Sequence, residues 1–362
     1  MKIFKSINSL LFIALMAFSI NMVTGVNFYA IGGTLLFFGA LASLPGFPAV
    51  KGMALMAVTM EIWETDIVEN LFKNNEFAKR AFSADQYVLS GKVVHIPRAG
   101  TPASITKNLN VFPAVAVKRT DDDITYAIDT FYTTPHHVEN IEKYELSYDK
   151  RQSVLGEDQQ ALIDTAMDGL VYNWGPLVAN VVFTSGDNVV ATLDGATGNR
   201  KSFTKESLQA IKLKMDKAKI PGNGRVALLT ADHYNQFFNS LSEAEKTNFN
   251  NVANLATGVV GKYLNIDIMM RSSVLRYRGD DAAVVKVDEY DAGFAASDQT
   301  SDRAASLVYH EKSVERAFGN VEMFDRVKDP TYYGDVYSFT LRMGGRIRRT
   351  AGVYAIVEGL AA

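Results

Sequence analysis

The stretch YDKRQSVLGEDQQALIDTAMDGLVYNW, residues 148–174, reads as one long amphipathic helix. Leu155, Leu162, Ala166, Leu170 and Trp174 recur at intervals of seven, four, four and four, with Ile163 and Met167 beside them. That is one apolar stripe at helical period. Asp158, Gln160, Asp164 and Asp168 mostly fall outside it. Gly175-Pro176 stops the helix, because glycine can take the left-handed cap and proline cannot continue the ladder. Gly156 lies inside and weakens the helix by roughly 1 kcal/mol relative to alanine. Strand-like sequence precedes this helix and a mixed α/β pattern follows it.

Upstream, from residue 84 to 132, the period changes to two. Residues 86–89 (QYVL), 92–96 (KVVHI) and 115–118 (VAVK) read as strands. Between the last two lies PRAGTPASITKNLNVFP, rich in Pro, Gly, Ser, Thr and Asn, which reads as a long loop or projecting hairpin. Long loops inside compact domains are usually functional or ordered by partners. Residues 121–123, an acidic triplet, read as a solvated turn before a strand at 124–131. No fixed second ligand set accompanies them, so a metal site is not indicated. Residues 53–79 set Ile62, Trp63, Ile67 and Leu71 against Glu61, Glu64, Asp66 and Glu69. This is an arm too short to bury its own face.

Downstream, residues 178–183 read as a strand and 204–219 as a second amphipathic helix, with Leu208, Ile211, Met215 and Ala218 on one face. IPGNG is a turn, RVALLT a buried strand, and residues 232–238 a short helix. Ser242 and Glu245 have capping-box spacing. Further strands follow at 266–270 and 282–287, and the alternation implies an α/β unit with a central sheet. The last part is strand-like at 306–310, 314–317, 336–343 and 346–357, with Gly344-Gly345 as a turn or bulge between the last two.

The 362 residues suffice for two or three core-bearing units. A net charge of -3 provides no global field for nucleic acid, so any such contact needs a local patch. Cysteine is absent, which removes disulfides, thiol nucleophiles and Cys-ligated zinc together. GVVGK at 258–262 fails as a phosphate loop, because the first glycine is misplaced and Tyr263 replaces Ser/Thr. His136 and His137 read as loop histidines after Pro135; on a strand they would point to opposite faces and could not chelate one ion. His233 reads as part of a helix first turn. No catalytic, cofactor or metal site is therefore expected.

The first 50 residues differ from the rest. After Lys2 and Lys5 no charge appears until Lys51, and two apolar runs fill the gap. Three readings compete. Residues 1–50 form a membrane hairpin with the lysines on one side, a signal segment ending near Ala40-Leu41-Ala42, or an extension upstream of a soluble protein that begins near Met53. The sharp change at MALMAVTMEIW favours the extension.

One local charge feature stands out. Arg342, Arg346, Arg348 and Arg349 crowd into LRMGGRIRRT. On a strand Arg346 and Arg348 share a face, and Arg342 joins them. Such a row neutralises phosphates, bridges to acidic neighbours, or forms a solvated sheet face.

The order of parts resembles the major capsid protein of tailed bacteriophages, the HK97-type fold. The likeness is carried, over about residues 53–362, by SGKVVHIPRAG, the long helix, IPGNGRVALLTADHYNQF, GKYLNIDIMMRSSVL and GDVYSFTLRMGGRIRRTAGVYAI. It implies an α+β fold with an N-terminal arm (53–82), an extended loop (83–120), a peripheral domain with a long spine helix (121–175), an α/β axial domain (176–330) and returning peripheral strands (331–362), after an apolar segment (1–52). The apolar segment departs from the family, whose members often carry a polar, helical scaffolding region there. The implied function is an icosahedral shell around DNA in the virion. Implied partners are copies of itself in pentamers and hexamers, packaged DNA by non-specific contact, and scaffolding, portal or decoration proteins. The expected subunit-interface residues are Arg98, Lys107, Arg342, Arg346 and Arg348. The alternatives are a membrane-anchored binding protein using residues 1–50, and an encapsulin-like compartment shell.

Overall fold

The computed structural model describes residues 67, 71, 75–89, 93–98, 107–108, 122–139, 150–254 and 257–361. Residues 1–50, the candidate strand 115–118 and most of the long loop lie outside the described residues.

The long helix runs Lys150–Trp174. It stops at the expected place, and the Gly175 N–H closes the end on the Tyr172 carbonyl at 3.0 Å. Its apolar stripe is the buried face: Leu162, Ile163, Ala166, Met167, Leu170, Val171 and Trp174 are all at most 4% exposed. That face packs on the first sheet. In this five-stranded sheet Phe82–Ser83, Val314–Asp329, Gly334–Ile347 and Asp129–Tyr132 follow in order, and His136–Glu139 also pairs with Gly334–Ile347. Tyr337, Phe339, Leu341 and Met343 alternate toward the helix and are buried. Met323 pairs with Phe339, and Phe131 with Leu341, so both join the same face.

Gly344-Gly345 is not a turn. The strand Gly334–Ile347 runs straight through both residues. A Cβ on Gly345 would stand 2.5 Å from Leu170 Cδ1 and 2.9 Å from Trp174 Nε1, and one on Gly344 would meet Ile128 at 2.9 Å. The pair lets the helix and Ile128 approach the two faces of one strand. Glycine in a strand marks such an approach as readily as it marks a bend.

The expected strand 124–131 is broken at Ile128, which is buried. Asp122–Ala127 pairs with Val93–Arg98, which pairs with Val88–Leu89, forming a three-stranded ribbon. Asp129–Tyr132 continues into the first sheet. Within the acidic triplet, Asp122 and Asp123 are strand residues that pair in register with Arg98 and Pro97. His136 and His137 also differ from expectation. They lie in a strand, opposite Tyr337 and Val336, because a partner strand arrives from 200 residues downstream.

The second sheet has eight strands. At its centre Arg225–Thr230 is buried at every position and runs parallel to Ile266–Arg271 and antiparallel to Asp302–His310. Covered on both faces, it reads as a continuous apolar run. Leu208, Ile211 and Met215 from helix Lys205–Lys217 pack with Phe237 and Phe249 against Ala227, Leu229, Ile266 and Ile268. The capping box forms: Ser242 Oγ accepts the Glu245 N–H at 3.4 Å, and Glu245 Oε2 accepts the Ser242 N–H at 2.9 Å.

The chain after residue 331 divides between the sheets. Gly334–Ile347 belongs to the first; after a short helical turn at Thr350–Gly352, Val353–Val357 inserts into the second beside Asp302–His310. Trp174 sits where the sheets meet, its ring against Tyr309 at 5.4 Å and Phe77 at 6.1 Å.

Candidate interaction surfaces

The arginine row forms on the sheet face away from the long helix. Arg346 lies opposite Glu315 across the antiparallel pair. Glu315 is fully buried and receives two guanidiniums: Arg346 Nε at 2.5 Å on Oε1, and Arg348 Nε at 3.2 Å on Oε2. Its backbone carbonyl accepts the Trp174 indole N–H at 2.9 Å. The Arg346 guanidinium lies 5.3 Å from the Tyr126 ring centre, and that of Arg348 lies 4.0 Å from Phe82. Burial, with the Glu315 carboxylate adding to it, pushes the Tyr126 phenol well above its ordinary range. The cluster therefore joins the ribbon, the strand Phe82–Ser83, the first sheet and the end of the long helix.

Arg342 shares this face by alternation, opposite Thr130, and its half-buried side chain packs beside Gly319. Arg98 lies in the ribbon strand Val93–Arg98, and Lys107 is exposed in a bend of the loop. The structure thus brings together Arg346 and Arg348 of the five expected interface residues. Sequence reading missed their partner, Glu315. Its signal was an acid inside an apolar strand, VERAF, in register with an arginine 31 positions later.

A second buried ionic group braces the second sheet. Asp302 is fully buried and takes Arg278 Nε at 2.5 Å, Arg278 NH2 at 3.0 Å and Arg276 NH1 at 3.2 Å. The hydrogen bonds that Arg278 donates to the Asp302 carboxylate raise the Arg278 pKa. Arg303, also fully buried, pairs with Asp281 and donates to the Glu358 carbonyl at 3.2 Å. These contacts satisfy charges that would otherwise be costly inside.

One constellation has the composition of a nucleophile, base and acid. His233 Nδ1 lies 2.7 Å from Ser306 Oγ, and His233 Nε2 lies 3.7 Å from Glu358 Oε1. All three side chains are sealed, at 0%, 0% and 1% exposure. The Thr230 N–H also donates to Ser306 Oγ at 3.3 Å, and Thr192 Oγ1 to Glu358 at 2.8 Å. A substrate carbonyl has no way to the hydroxyl, so the geometry required for acyl transfer is not met. The arrangement is a hydrogen-bonded polar core joining helix Ala231–Ser240 to the second sheet.

Among the described residues, no group of three or more His, Asp or Glu is placed to hold a metal ion, and no helix is long and apolar enough to cross a membrane. No family model and no curated protein matches the sequence. Solved structures do match. The structure of Mycobacterium phage Che8 aligns with TM-score 0.52 at 15% identity, covering 77% of this chain and 90% of that one. The capsid of Ralstonia phage GP4 aligns with TM-score 0.52 at 13% identity, covering 78% and 88%. The capsid of cyanophage P-SCSP1u aligns with TM-score 0.51 at 15% identity, covering 78% and 87%. The fold is the HK97-type capsid fold. In this HK97-type chain the buried charges, the glycine pair and the aromatic junction at Trp174 hold the α+β body together, and the ribbon packs Val94 against Ala84, Ile128 and Ala317.

Proposed function

We propose that this chain is a major capsid protein that self-assembles into an icosahedral shell around phage DNA. The observation that carries the reading is the fold, matched along most of the chain by phage capsids. The physical logic agrees. A ribbon that carries a long polar loop needs neighbours for that loop to pack against. Closed shells supply such neighbours by repeating one set of interfaces under symmetry.

In this reading residues 83–120 form the extended loop, and Arg98 and Lys107 meet the next subunit. The first sheet and long helix form the peripheral body, and the second sheet with its helices the axial body. Arg346 and Arg348 anchor the loop base, and Arg342 lies beside them on the same face. DNA is held by non-specific contact, and scaffolding, portal and decoration proteins are further partners. Residues 1–50 serve as an extension. If they instead insert in a membrane, the competing reading is an anchored binding protein.

Expression of the full chain followed by electron microscopy tests the proposal. Closed particles are expected. A monomer that fractionates with membranes would favour the anchored reading. Closed particles that enclose protein cargo rather than DNA during infection would favour an encapsulin-like compartment.

A further inference from the structure

The turn IPGNG, residues 220–224, joins helix Lys205–Lys217 to the buried central strand Arg225–Thr230. It carries the one Asn-Gly dipeptide of the sequence, Asn223-Gly224. The frame around it is held. Arg225 Nε donates to the Pro221 carbonyl at 2.9 Å, and Arg225 NH2 to the Ile220 carbonyl at 2.6 Å. The Gly224 carbonyl accepts the Glu311 N–H at 2.9 Å. Two groups in this frame are left over. Among the described residues, neither the Asn223 side-chain amide nor the Gly224 N–H has a hydrogen-bond partner, and Asn223 is exposed. Gly224 sits at φ +80, which glycine adopts without strain. A Cβ there would stand 2.9 Å from Glu311 Oε2, so no side chain screens the Gly224 nitrogen.

We propose that Asn223 is a self-modification site, where the Gly224 amide nitrogen attacks the Asn223 side-chain carbonyl. A bond forms between that nitrogen and Asn223 Cγ, and the bond from Cγ to the side-chain nitrogen breaks. Ammonia leaves and takes up the Gly224 amide proton, and a five-membered succinimide remains. Water then opens the ring. Opening at Cγ gives aspartate; opening at the Asn223 main-chain carbonyl gives isoaspartate, with the chain running through Cγ. No oxidant, metal or second protein takes part. The free nitrogen is the nucleophile, and the exposed side chain gives water access to the ring.

Either product alters the start of the central strand. Both place a new carboxylate next to Glu311, which Arg80 Nε already holds at 2.7 Å. Isoaspartate also lengthens the backbone path through the turn. The bonds from Arg225 to residues 220 and 221, and from Glu311 to Gly224, are set for the shorter path, and losing one costs stability. The modification thus marks older subunits and loosens the entry to Arg225–Thr230. This chemistry is independent of the shell reading.

The test uses the purified full-length chain, aged in mildly alkaline buffer, folded or unfolded in urea. Trypsin cuts after Lys219 and Arg225, so residues 220–225 leave as one peptide. In the folded sample this peptide should acquire the mass of the acid and split chromatographically into aspartyl and isoaspartyl forms. Asn239 is the internal control. It is exposed and precedes Ser240, but it lies in helix Ala231–Ser240, where the following N–H serves the helix ladder, so it should stay an amide. An Asn223 that stays an amide in the folded chain, whether or not the unfolded chain converts, would overturn the proposal. The unfolding midpoint of the parent should fall on ageing, and that of Asn223→Ser should hold. An equal fall in both would overturn the assigned effect on the strand.

Discussion

Glu315 and Arg346 stand opposite each other on adjacent antiparallel strands, and the carboxylate is fully buried while the guanidinium is only 26% exposed. The pair lies beneath the ribbon that carries the long loop. Removing its negative member leaves Arg346 and Arg348 facing each other without a counter-charge. Breaking a buried pair from one side is the costly direction. Glu315→Gln should therefore destabilise the subunit by on the order of 2–3 kcal/mol, below the fully buried case because both arginines keep some solvent. Arg348→Gln leaves Arg346 in place and should cost less than about 1 kcal/mol. Urea denaturation of dissociated subunits measures both, and equal losses would show that the carboxylate is not the centre of the cluster.

Two glycines, one on the long helix and one beneath it, should respond in opposite directions to alanine. A Cβ at Gly345 would meet Leu170, the Glu315 carbonyl and Trp174 at 2.5, 2.6 and 2.9 Å. None is the loose end of an exposed side chain, so the helix must lift. Gly345→Ala should cost about 1–3 kcal/mol by overpacking. Gly156 is exposed in the helix and a Cβ there meets nothing within 4 Å. Gly156→Ala should stabilise by up to about 1 kcal/mol. Thermal unfolding of the two variants should bracket the parent protein; a stable Gly345→Ala would sink the close-approach argument.

The contrast between these glycines indicates what was legible in the sequence. The long helix, its buried stripe and its stop are local properties of residues 148–176, and they were readable. So were the buried run RVALLT and the capping box at Ser242. The break of one expected strand at Ile128, the strand at His136 and the straight passage through Gly344-Gly345 were not. Each is decided by a partner brought from far along the chain, and tertiary pairing overrides a local signal. The arginine row was visible, but its meaning was not. Glu315 gives it an intrachain anchor that alternation alone could not assign.

The loop is the part of the proposed function most open to direct attack. Residues 97–113 lack the apolar content to fold alone, while the strands Val93–Arg98 and Asp122–Ala127 hold their ends in register. Deleting residues 101–110 should leave a soluble, folded subunit with the same unfolding midpoint. Particle yield should fall sharply, because the loop acts only against neighbours. Normal particles from the deletion would remove the loop from the assembly interface.

Acid should weaken the second sheet through Glu358. Burial pushes its carboxyl up, but His233, the Thr192 hydroxyl and the Ala304 N–H pull it further down, so the folded value lies below the ordinary one. A carboxylate whose pKa is depressed by folding stabilises the folded state above its unfolded pKa of about 4.3, and that contribution disappears as pH falls through the lower folded value. Glu358→Gln removes the titration. The variant should be less stable at pH 7, since Thr192 and Ala304 lose a charged acceptor, by about 1–3 kcal/mol. Below about pH 4.3 the gap between variant and parent should narrow as the parent's carboxylate protonates. Other carboxylates held low, such as Glu245 with its capping bonds at Ser242, titrate in both proteins and cancel in the difference. Urea denaturation across pH 7 to pH 3 measures the gap. If the two stability curves run parallel through that window, the Glu358 carboxylate carries no folding-linked proton and its network is held by geometry rather than charge.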